Sequence, residues 1–358
     1  MNSRERFLVA LSREVPDRVP IDLTYCGFNR EALRLFKERT GSDDPNEYFG
    51  VEKSVVWFNP NPTKIDPGER YASFYNDLPS SAAISEWGNA SVPGSNSAFD
   101  LLLHPLKKAT TLREIQSYPL PDITEDYRYE GLKEEIKDAK ENGLAVVWNN
   151  INIFEKAWGL RGNDELLVDF FVNQDMAACL LDRLTELWIF SAKKGAELKT
   201  DIIWTGDDIG MQDRMMMSPD TWRKWIKPRF EKIIKSAKDI NPHIIICYHS
   251  DGFIEPVIPD LIEIGVDVLN PVQPECMDPA KIKKLYGDKL AFWGTIGIQT
   301  TLPFGTPEEV RRVVKERIET VGAGGGLVIS PTHAIEPEVP LENITAFVKA
   351  AKKYGKYQ

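Results

Sequence analysis

From about residue 144 the chain repeats one alternation. Short apolar runs, LAVVWNN (144–150), DIIWTGDD (201–208), HIIICYHSD (243–251), DVLNPVQ (267–273), LAFWGTIG (290–297) and GLVISPTH (326–333), are separated by stretches whose apolar residues recur at helical spacing. Runs of this length, bounded by turn residues, read as strands buried on both faces. Their alternation with amphipathic helices predicts β–α units and a parallel sheet. An earlier run, RVPIDLTY (18–25), precedes the helical stretch NREALRLFKERTG. Six runs plus one or two earlier ones approach the eight of a (β/α)8 TIM barrel, read here as one domain over 1–358. Helix boundaries are equally visible. SPDTWRKWIKPRFEKIIKSAKDI (218–240) opens on a Ser-Pro start signal, TPEEVRRVVKERIETVGAGG (306–325) stops at Gly322, and MNSRERFLVAL carries an Asn2 or Ser3 cap.

The region 43–128 breaks the pattern. It is rich in Pro, Asn, Ser and aromatics and reads as an insertion or cap, with a hairpin around YASFYNDL and AISEWGNAS. The glycine-dense GAGGG (322–326) ends a helix and enters a strand, the reverse of the order phosphate loops use, so it reads as a tight αβ loop.

Charge and composition narrow the function classes. A formal net charge of −10 argues against nucleic acid or an anionic membrane as the main partner. No apolar run approaches the roughly 20 residues that span a bilayer, and the first residues lack signal-peptide character. The four cysteines, Cys26, Cys179, Cys247 and Cys276, are scattered without a CxxC pair, which fits a reduced, cytoplasmic setting.

The chemistry-bearing residues collect at one end of the runs. Asp22, Asn149 and Asn150, Asp207 and Asp208, His249 and Asp251, Asn270 and Gln273, and His333 all follow apolar segments. In a parallel barrel the C-terminal strand ends open onto one face, where catalytic groups gather. Adjacent Asp207 and Asp208 point to opposite sides of a strand, so only one of them faces a common site. Two of the four histidines occupy such positions, whereas His104 reads as structural and His243 as a strand-start residue. His249, Asp251 and His333 supply three ligands for a zinc ion with an open position; the metal-free alternative is a histidine–carboxylate acid/base pair. Cys276 reads as a structural thiol, and the methionines of MQDRMMMSP (211–219) as core or as a soft surface for a large flat ligand.

These residues stand in segments that resemble the uroporphyrinogen decarboxylase superfamily, which holds uroporphyrinogen decarboxylases and corrinoid- and coenzyme M-type methyltransferases. The matching stretches are RERFLVALSREVPDRVPID, IFEKAWGLRG, GDDIGMQDRMMMSPDTWRKWIKPRF and HSDGFIEPVIPDLIEIGVDVLNPVQPECMD, then FWGTIGIQTTLPFGTPEEV and ISPTHAIEPEVPLENI. The resemblance implies the same barrel with its site at the C-terminal mouth. In the methyltransferase branch a His-x-Cys pair and a later Cys hold zinc that activates a thiol. Here His249, Asp251 and His333 stand at those places, so the histidine is kept and both thiolates are replaced by harder ligands. In the decarboxylase branch an N-terminal arginine motif clamps propionates. No such motif is found here, where Arg30 and Arg161 are the nearest candidates, although His333 resembles that branch's late histidine.

The leading expectation is therefore methyl transfer with a corrinoid protein or a methylated small molecule, with zinc on His249, Asp251 and His333. Asp207 or Asp208 and Asn150 would orient the substrate, with Asn270 and Gln273 at the mouth; a homodimer is allowed. Tetrapyrrole decarboxylation, with Asp22 or Asp208 gathering pyrrole nitrogens, is the alternative, and a non-catalytic tetrapyrrole or corrinoid binder is the second.

Overall fold

The computed structural model describes residues 1–23, 27–61, 66–93, 101–150 and 152–357; Cys26 and the end of the RVPIDLTY run lie outside them. Seven parallel strands form one curled sheet in the order Lys53–Val56, Ala145–Asn149, Ile202–Gly206, Ile245–His249, Val268–Asn270, Ala291–Ile296 and Leu327–Pro331. The segment around Pro20–Asp22 lies beside the last strand. A parallel bridge joins Ile21 to Ile329, and the Asp22 amide donates to the Ile329 carbonyl at 3.0 Å. Side chains close the gap to the first strand: Glu52 accepts the Ile21 amide at 3.1 Å, and Lys53 Nζ lies 3.1 Å from Asp22. The result is a (β/α)8-type barrel, closed in part by a buried ion pair instead of a full ladder.

The six runs from residue 144 onward are strands, while the described part of RVPIDLTY forms isolated bridges to its neighbours and no strand ladder. The 43–128 region, read as an insertion or cap, contributes the barrel strand Lys53–Val56, paired in register with Ala145–Trp148. KSVV is short and flanked by charge and loop residues, so it carries no periodic signal. Beyond it, the hairpin falls entirely within AISEWGNAS and joins a small antiparallel sheet of Ala83–Ile84, Ala90–Val92 and Leu101–Leu103. YASFYNDL is instead partly helical, with Ala72–Phe74 a 3-10 turn. The helix expected over 218–240 is two, Pro219–Trp225 and Lys227–Lys238. Pro228 supplies no amide to bond back across the junction, so the ladder breaks at Ile226.

The N-terminal helix Ser3–Leu11, held by an Asn2–Glu5 capping box, plugs the opposite end of the barrel. Its Phe7 meets Trp293 edge-on at 4.9 Å, Trp293 meets Trp204 at 5.0 Å, and Trp204 stacks on His249 at 5.6 Å. This column of rings fills the barrel axis from plug to mouth, and each fully buried ring contributes roughly 2–3 kcal/mol. The mouth therefore rests on a rigid floor. No helix among the described residues is long and apolar enough to cross a membrane.

Candidate functional site at the barrel mouth

Register brings the polar strand ends to one level. Gly206 pairs with His249, and His249 with Asn270. Gly206 has φ of 150°, and a Cβ there would lie 2.0 Å from the His249 carbonyl, so only glycine lets the two strands approach. His249 is fixed from two sides. Its Nδ1 lies 2.6 Å from Asn270 Oδ1, whose amide nitrogen in turn donates to the Trp293 carbonyl at 2.6 Å. With Nδ1–H donating to Asn270, Nε2 carries the free lone pair and sits 3.6 Å from Asp208.

Asp208, His249 and Asp251 each offer a ligand atom within 4.8 Å of the others. The Asp251 amide donates to Asp208 at 2.7 Å, locking the loops that carry the two carboxylates. Asp251 Oδ1 is buried with no hydrogen-bond partner. Burial disfavours the charged His249 ring, but Asp251, Asp208 and the bond to Asn270 outweigh it and raise its pKa. Burial raises the Asp251 pKa as well; His249 opposes this and Asp208 adds to it. An orphaned carboxylate oxygen beside a second carboxylate and an imidazole lone pair fits a divalent cation, and one nitrogen with two oxygens suits zinc or a harder ion.

A cavity of about 370 Å³ opens above this cluster, lined by Trp57, Asn149, Asn150, Glu155, Lys156, Trp204, Asp208, His249 and His333. A second, of about 430 Å³, lies beyond Asp251 and His333 and is walled by Met211, Met216, Gln273, Ile298 and Gln299. Asn150 Oδ1 and Thr205 Oγ1 are also buried without partners at this mouth. Such groups are costly unless a ligand or water satisfies them.

The expected residues divide accordingly. Asp208, His249, Asp251 and Asn150 meet at the mouth. His333 stands at the rim, its Nε2 4.0 Å from Asp251 Oδ2, so Asp208 takes the place expected for it in the metal set. Asn270 and Gln273 act through others, Asn270 by orienting His249 and Gln273 by accepting the Gly252 amide at 3.1 Å. Asp207 turns away, as strand alternation requires. Its two oxygens accept the Phe154 and Glu155 amides at 2.9 Å. The helix Phe154–Arg161 has no capping side chain of its own, and Asp207 supplies one from the neighbouring strand.

Asp22 and Arg161 are corrections. Asp22 is spent inside the barrel on Lys53, on the Trp293 indole N–H at 2.9 Å and on the Leu23 amide. Arg161 is buried on Asp169 at 2.7 Å and on the carbonyls of Leu106, Lys107 and Ala109. Cys276 stays outside the cluster, donating to Gln212, with burial raising its pKa to about 11. Met215 and Met217 are buried, and Met216 is exposed at the second cavity.

Two functional candidates, Glu155 and Lys156, were missing from the expected set. Glu155 accepts the Asp208 amide at 3.2 Å and a bond from Asn152. Burial and Asp208 raise its pKa. Both residues sit in the first turn of the helix Phe154–Arg161 that follows the Ala145–Asn149 strand, so the signal for them is their place just beyond a polar strand end.

A model of the family described as uroporphyrinogen decarboxylase (URO-D) matches residues 156–354. The methylcobamide:CoM methyltransferase MtaA of Methanosarcina barkeri is 31% identical over 180 residues, covering 50% of this chain and 50% of that protein. A uroporphyrinogen decarboxylase of a Hydrogenobaculum species is 26% identical over 191 residues, covering 53% and 52%. The chain thus spans about half the length of the curated relatives it matches. Among solved structures, a methyltransferase from Methanosarcina mazei superposes with a TM-score of 0.71 at 20% identity over 99% of both chains, a likeness of fold.

Proposed function

The chain belongs to the uroporphyrinogen decarboxylase family, and on that premise we propose that it is a methyltransferase whose reaction takes place over Asp208, His249 and Asp251. The observation that carries this reading is the cluster itself: one imidazole and two carboxylates gathered at the mouth cavities, with no lysine or arginine among the described residues paired to them. Similarity to the methylcobamide:CoM methyltransferase supports a methylated corrinoid, carried by a partner protein, or a methylated small molecule as donor.

Methyl transfer breaks the bond between the methyl carbon and its donor and forms one to a nucleophile, which must shed its proton. Zinc held by Asp208, His249 and Asp251 would supply the Lewis acidity that lowers the acceptor's pKa. The remaining work belongs to the chain. Asn270 keeps the His249 lone pair aimed at the cluster. His333, at the rim beside Asp251, is placed to take up the acceptor's proton and pass it to solvent. Oxygen ligands leave more charge on zinc than the thiolates of the methyltransferase branch, which favours an acceptor other than a soft thiol alone. The two cavities, which share His333 as a lining residue, offer room for donor and acceptor.

Tetrapyrrole decarboxylation fares worse. A substrate bearing many carboxylates needs several cations, yet Arg161 is committed to Asp169, and Lys156 is the one lysine or arginine among the described residues lining the two mouth cavities. The test is demethylation of methylcobalamin, followed by its absorbance, in the presence of zinc and a panel of thiol and amine acceptors. Acceptor-dependent demethylation that disappears in His249→Ala supports the reading. Conversion of uroporphyrinogen without cofactor, with no demethylation, would overturn it.

A further inference from the structure

Lys156 is out of keeping with its surroundings. It lines the cavity that holds the cluster, and among the described residues lining either mouth cavity it is the sole lysine or arginine. Its ammonium sits 4.5 Å from the centre of the Trp87 ring, with no carboxylate at ion-pair distance among the described residues. Glu155 and Glu86 act on it only at longer range, and Glu86 is itself paired with Arg128. Burial lowers its pKa to about 8, opposed at longer range by Glu155 and Glu86. An aromatic face stabilises a cation but supplies no hydrogen-bond acceptor. A half-buried ammonium that lacks one, on a cavity wall, is a group prepared for an anion arriving from outside. The helix turn that bears it is anchored by the two amide bonds to Asp207, so the ammonium is presented from a fixed base.

We propose that Lys156 is the specificity-determining group of this cavity, holding the carboxylate, sulfonate or phosphate of a small substrate whose reacting end lies at Asp208, His249 and Asp251. This deepens the reading of the cavity as the substrate site and does not require that the reaction be methyl transfer. The substrate has an acidic tail at one end and its reacting atom at the other. Lys156 is the one lysine or arginine among the described residues lining that cavity, beside Glu155, so a second anionic group would find no cation there and a substrate with one acidic tail is preferred to a polycarboxylate.

The test is calorimetric titration of the zinc-supplemented protein with 3-mercaptopropionate and with its neutral amide. In the wild type the acid binds at least about tenfold more tightly than the amide, the discrimination expected of one partly desolvated ion pair. Lys156→Met abolishes that preference and leaves amide affinity unchanged, while Lys156→Arg keeps most of it. Should the methionine variant fail to fold, as read by circular dichroism, Lys156→Gln serves in its place. Sulfonate and phosphate analogues then rank the three anions. Zinc content of the same samples reports separately on the metal: a wild type without zinc that still prefers the acid retains this proposal and loses the metal reading. Equal affinity for acid and amide in the wild type, no binding of either, or an unchanged preference in Lys156→Met overturns it.

Discussion

Asp22 and Asp251 both belong to the wall of the same barrel, and their surroundings are opposite. Asp22, fully buried, is met by Lys53 Nζ at 3.1 Å, the Trp293 indole N–H and the Leu23 amide. Asp251, at the mouth, faces Asp208 and His249, and its Oδ1 has no partner. The first carboxylate is satisfied by the chain and holds the barrel closed. The second is left wanting by the chain, and that deficit is what a site consists of. The two lysines repeat the contrast: Lys53 is committed to Asp22, while Lys156 rests on a ring face.

The largest effect should come from breaking the satisfied pair. Lys53→Met leaves Asp22 charged, buried and short of a partner, which is expected to lower stability by about 3–5 kcal/mol. Urea unfolding followed by tryptophan fluorescence measures it. Lys156→Met, which strands no counter-ion, should shift the same midpoint by less than about 1 kcal/mol. Equal losses in the two variants would erase the distinction between the regions.

At the mouth the corresponding break appears in binding. His249→Ala removes the nitrogen donor of the cluster, and zinc affinity should fall by at least about 100-fold, with little change in unfolding midpoint when chelator is present. Asn270→Ala leaves the donor in place but frees the ring to rotate. A loss of about 10- to 100-fold is expected for such an orienting partner. Competition with a chromogenic zinc chelator ranks the variants. If Asn270→Ala binds zinc as the wild type does, the imidazole is held by Trp204 stacking alone.

This contrast also marks how far the sequence could be read. Alternating apolar runs revealed the barrel, because strands buried on both faces cannot be written in other residues. Polar residues at the run ends revealed the mouth, since every C-terminal strand end opens there. What those positions do not disclose is whether a carboxylate is already spent. Asp22 meets Trp293 across 271 residues of chain, and Arg161 finds its carbonyl partners 52–55 residues back. No local pattern encodes either meeting. Asp207 and Asp208 were separable in principle by strand alternation, but which of them faces the cavity depends on where the uncapped helix Phe154–Arg161 lies. The strand Lys53–Val56 escaped because four residues are too few to show a period.

The subtlest test of the contrast is whether the mouth is strained in the absence of a cation. Burial and Asp208 make ionisation of Asp251 unfavourable in the native state, so its folded pKa lies above its unfolded value. Between those two values the native protein binds more protons than the unfolded chain, and stability falls as pH rises through that window. Asp251→Asn removes the ionisable group. Measured in chelator at neutral pH, it should be more stable than the wild type by a few tenths to about 1 kcal/mol, the scale of a partly solvated charge contact. The gain should vanish on the acid side, below the unfolded carboxylate pKa, where Asp251 is protonated in both states. Excess zinc should reverse the order, because only the wild type then gains the binding free energy. The same substitution at Asp22, whose charge is matched by Lys53, should destabilise at neutral pH with or without zinc. A mouth variant that behaves like the interior one would mean that Asp251 already has a partner within the fold.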